Sequence, residues 1–114
     1  MQGGEKTMAL PSQFADIEHL ITAGWAIGDE AARNRRRRTS SMADLQAFYN
    51  TLLPRMDAII QHLNQQSLPA LAPGDQALLD LALMFMEVAP AVEIYKDPDV
   101  PWGFDAARFH ILPA

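Results

Sequence analysis

From Ala77 to Met86 the chain reads Ala-Leu-Leu-Asp-Leu-Ala-Leu-Met-Phe-Met, which is apolar on nearly every face of a helix. Such a helix is stable in water only where other elements cover most of its sides. Its most apolar part, Leu81 to Met86, is fenced by Asp80 and Glu87 and falls far short of the roughly 20 residues that cross a bilayer. The expectation is a buried helix in a soluble protein, about 75–96, capped by Asp75 and bent at Pro90. Ser67 to Gly74, with two prolines and a glycine, is the loop before it.

Two further helices follow from periodicity. Leu10, Phe14, Ile17, Ile21, Gly24, Gly28 and Ala31 recur at steps of three and four, predicting one helix over 11–36 that starts at Pro11 or Ser12. Ser41 with Asp44 three residues later forms an approximate capping box. From there Leu45, Tyr49, Leu52, Met56, Ile59 and Leu63, widened by Phe48, Leu53 and Ile60, predict a helix over 42–66. Pro54 lacks a backbone donor and crowds the carbonyl of Asn50, so a kink is expected there. No run alternates with period two, so the class is all-α.

The expected fold is a small all-α bundle of three long helices, two of them kinked at proline, with a short C-terminal helical turn at 105–110. Residues 1–10 read as a flexible N-terminus, and 11–114 as a single helical domain with an extended tail from about 97. Helices of 20 to 25 residues would be roughly 30 to 38 Å long. That is long for so few partners, so a homodimer is expected to complete the bundle. The alternative cover for the third helix is the tail itself, through Trp102, Phe104 and Phe109.

Charge is lopsided. The 114 residues carry a net charge of -5, yet Arg33, Arg35, Arg36, Arg37 and Arg38 are five of the nine bases, leaving four bases against fourteen acids elsewhere. An acidic body with one arginine knot lacks the broad basic face of a protein that follows a phosphate backbone. No aromatic residue within the run offers a stacking platform, so nucleic acid is disfavoured. The knot is a candidate anion or partner-binding point, but the preferred reading is structural: arginines in a last helical turn offset the macrodipole. With no cysteine there are no disulfides, thiolate metal sites or cysteine nucleophiles. Glu5 and Lys6 precede any apolar run, so no secretory leader is expected and the cytoplasm is the default location.

No glycine-rich phosphate loop, nucleophile elbow or zinc spacing occurs, and no catalytic residue, metal ligand or cofactor is assigned. Asp16 and His19 have carboxylate-x-x-His spacing but project away from the apolar stripe. Asp80 and Glu87 share one face of the third helix, as a wet stripe, as partners of Arg55 or Arg108, or in a metal or acid–base role, the least favoured of the three. Gly24 and Gly28 cost the first helix about 1 kcal/mol each against alanine, which close helix contact would offset. Kinked helices with methionine and aromatic walls also suggest a pocket for a small apolar or aromatic ligand, with Trp25, Gly28, Tyr49, Met84, Trp102 and Phe104 as its candidate residues. The preferred function is a non-catalytic, homodimeric interaction or accessory module, with the ligand binder as alternative.

Overall fold

A computed structural model of the chain describes residues 10–96, and over them the protein is all-helical without a strand. The expectations for residues 1–9, for Trp102 and Phe104, and for a helical turn at 105–110 lie outside the described residues. In place of three long helices, the described residues form five shorter ones, joined by 3-10 and π turns.

The first expected helix is the one most changed. A 3-10 segment, Ser12–Ile17, leads into a single turn, α1, His19–Thr22. There the chain stops, because Gly24 takes φ +90 and the Trp25 amide reaches back to the carbonyl of Leu20 at 3.0 Å. With the Gly24 amide on Ile21 at 3.0 Å, this is a Schellman ending, which needs a left-handed residue that glycine supplies without a Cβ clash. The chain restarts at α2, Glu30–Thr39, where the Asp29 carboxylate accepts from the amide of Ala32 at 2.8 Å. Gly24 and Gly28 are thus linker residues, not gaps in a helical stripe.

The second expected helix is divided where proline predicts. Ser41 caps α3, Met42–Leu52, by accepting from the Asp44 amide at 3.1 Å. A 3-10 turn, Leu53–Arg55, carries Pro54, and α4, Met56–Asn64, continues beyond it. The third expected helix starts two residues early as α5, Pro73–Pro90. Pro73 opens it, and Ala72 holds the cap position, so Asp75 is not its cap. After Pro90 the chain relaxes into a π turn, Ala91–Tyr95, and Lys96 closes it at φ 55.

The nearly all-apolar helix α5 touches each of the other four helices, which is how its surface is covered within one chain. Leu78, Leu81, Met84 and Val88 of α5 are fully buried against Phe14, Ile17, Leu45, Phe48, Leu52 and Ile59. Each large apolar side chain so buried contributes roughly 1.5–3 kcal/mol. Among the described residues the coverage is incomplete along one side, and that side is the candidate site.

Candidate functional site

Between α4 and α5 runs an apolar groove of about 280 Å³, lined by Ile60, Leu63, Asn64, Gln66, Leu79, Ala82, Leu83 and Met86. Leu79, Leu83 and Met86 stand at i, i+4 and i+7, the spacing of one helix face. Met86 is 58% exposed and Ile60 42%. No residue lining the groove is charged.

The charges of α5 have gone elsewhere. Glu87 meets the buried Arg37 guanidinium at 2.8 Å and accepts from Asn34 at 3.3 Å, which ties α5 to α2. Asp75 meets His62 Nε2 at 2.8 Å, tying α5 to α4. Asp80 accepts from Gln76 and lies beside Gly28, where a Cβ would come within 3.6 Å of its carboxylate. With its acids turned to these partners, α5 leaves the row from Leu79 to Met86 free of charge.

The arginine knot is divided among different tasks. Arg33 donates to the carbonyl of Ile27 at 2.8 Å and Arg36 to that of Ala23 at 2.9 Å, both holding the linker between α1 and α2. The Arg36 guanidinium also lies 4.0 Å over the Trp25 ring, and its buried Nε has no hydrogen-bond acceptor. Arg37 is 3% exposed. Arg38 donates to Asn34 at 2.8 Å on the surface, and Arg35 is exposed.

Each described candidate ligand residue has a partner within the fold. Trp25 stacks on Phe48 at 4.5 Å, Gly28 sits against Asp80, and Met84 is fully buried in the core. Tyr49 stacks on Phe85 at 5.2 Å, and its hydroxyl donates to Glu93, pinning the π turn to α3. That hydrogen bond, more than burial or the Glu93 charge, raises the Tyr49 phenol above its ordinary 10.0. None of the four lines the groove.

Sequence reasoning missed His62. Its Nδ1 faces Gln13 Nε2 at 3.4 Å, and its ring meets Phe14 edge-on at 5.6 Å. With Nε2–H donated to Asp75, Nδ1 accepts from Gln13. The arrangement positions the N-terminal segment against α4 and α5. Arg55 adds to this by donating to the Gln13 carbonyl at 2.7 Å and pairing with Asp16 at 3.1 Å. His62 and Asp75 are thirteen positions apart, a separation that no local spacing rule brings together.

Among the described residues no helix is long and apolar enough to cross a membrane. No family model, no curated protein and no solved structure matches the chain.

Proposed function

We propose that the chain is a non-catalytic helical interaction module that works through the groove between α4 and α5. The observation that carries this reading is the row Leu79, Leu83 and Met86 beside Ile60, half-buried to exposed and uncharged, with Asn64 and Gln66 as its polar groups. An apolar patch bordered by polar groups is the usual form of a protein-binding surface. The groove lies at the lower edge of the roughly 300–1,000 Å³ of a small-molecule pocket and is half-open, which favours a protein segment over a small ligand. Glu87, Asp75 and His62 take part in contacts that tie elements together. The division of the arginine knot leaves little of it as a basic face for nucleic acid.

Native mass spectrometry of the full chain, purified gently from its own cells, tests the reading. The expected spectrum shows the chain bound to a protein chain, its own or another. Added mass of small-molecule size that disappears on denaturation would overturn the proposal in favour of the ligand binder, and a bare monomer would overturn it as well.

A further inference from the structure

In the row Leu79, Leu83 and Met86, position 86 carries chemistry as well as apolar surface. The described methionines differ widely in access: Met84 is fully buried, Met56 is 8% exposed, Met42 is half-buried and Met86 is 58% exposed. The chain has no cysteine, so no thiol competes with these thioethers for an oxidant. We infer that Met86 is a modification site, oxidised by a two-electron oxidant of the hydrogen peroxide class, and that its sulfoxide ends the groove's use for apolar contact. In that step the thioether sulfur attacks one peroxide oxygen, and the S–O bond forms as the O–O bond breaks. Sulfur gives up two electrons, and the other oxygen leaves with both protons as water.

The product places a polar S–O group among Ile60, Leu79 and Leu83, which have no side-chain donor to offer it. The donors in the lining are the amides of Asn64 and Gln66, and Gln66 already donates to the carbonyl of His62 at 3.1 Å. An apolar occupant would strip water from the new oxygen without replacing its hydrogen bond, which is unfavourable. Leucine at position 86 would supply similar apolar surface without this chemistry. The change is reversible: methionine sulfoxide reductases restore the thioether, the oxygen leaving as water while two thiols become a disulfide. That the switch governs partner binding rests on the interaction module proposed above.

The test treats the full chain with dilute hydrogen peroxide and maps the added oxygen by peptide mass spectrometry, fragment ions separating Met84 from Met86. Met86 should be oxidised about tenfold or more faster than Met56 or Met84, which react only when local opening exposes them, and ahead of Met42. Met1 and Met8 lie outside the described residues and are read on a separate peptide. Fluorescence of the neutral apolar dye Nile red then reads the groove. The dye should brighten on the unmodified chain, lose most of that signal on the oxidised chain and regain it after reductase treatment, with circular dichroism unchanged throughout. Whatever signal Met86→Leu gives, peroxide should leave it as it was. Met42 or Met56 reacting as fast as Met86 overturns the inference, as does a Met86 protected from peroxide because something already covers the groove. A dye that ignores the unmodified chain, or ignores its oxidation, overturns it too, and signal loss in oxidised Met86→Leu assigns the effect to another residue. The native mass spectrum is independent of these readings. A bare monomer there removes the interaction module and leaves Met86 as the oxidation site, whereas a bound chain with an unreactive Met86 keeps the module and removes the switch.

Discussion

The guanidinium of Arg37 meets the carboxylate of Glu87 at 2.8 Å, fifty positions along the chain, with side chains only 4% and 16% exposed. The contact joins the basic end of α2 to the last turns of α5, and the Asn34 amide satisfies the same carboxylate oxygen. Arg37 is therefore a structural cation rather than part of a basic surface.

Removing one partner of such a pair should be costly, and removing both should not be. Arg37→Met leaves the Glu87 carboxylate with only Asn34 and is expected to lose about 3–5 kcal/mol in urea unfolding. Arg37→Met combined with Glu87→Leu should recover most of that loss, since no charge is left without its counterion. A single variant as stable as the parent would show that the pair is solvated in solution.

The two glycines of the linker should respond differently. Gly24→Ala places a Cβ on a residue at φ +90 and should cost about 1–2 kcal/mol, through strain and not through contact, the nearest atom being Arg36 Nη2 at 3.9 Å. Gly28→Ala meets Asp80 at an ordinary 3.6 Å and should stay within about 0.5 kcal/mol of the parent. Equal melting shifts for the two would contradict the Schellman ending.

Alkaline stability should depend on Tyr49. The phenol is raised above 10.0 in the folded chain by its hydrogen bond to Glu93, so the unfolded chain loses this proton first as pH rises. The contribution is complete below pH 10.0 and falls away through the raised folded value. Tyr49→Phe should be less stable at neutral pH and show a shallower decline in melting temperature above pH 10.0. An alkaline limb as steep as the parent's would assign the decline to another group.

Much of the local structure is legible in the residues themselves. Ser41 capping α3, the interruption at Pro54 and the burial of Leu45, Phe48, Leu52, Met56, Ile59 and Leu63 follow from residue type and spacing, whereas Leu53 and Ile60, expected on the same core-facing stripe, are exposed and Tyr49 is half-buried. The break after α1, at Gly24 with the restart at Asp29, does not follow from the spacing. The three-four periodicity from Leu10 to Ala31 conceals it, because glycine and alanine fit an apolar stripe without showing that the backbone continues.

The groove and the polar ties are not legible, for a different reason. Along α5 almost every position is apolar, so periodicity alone cannot say whether Leu78, Leu81 and Met84 or Leu79, Leu83 and Met86 turn inward. That is decided by which neighbours take Asp75, Asp80 and Glu87, and His62 and Arg37 reach their carboxylates only once α4 and α2 have packed against α5. The sequence by itself determined the all-helical class, the Ser41 cap, the interruption at Pro54 and the need to cover α5, because these depend on backbone conformation and residue type within a few positions. Tertiary structure alone decided which side of α5 stays open and that the arginine knot is partly interior, because both depend on contacts between residues far apart in the chain.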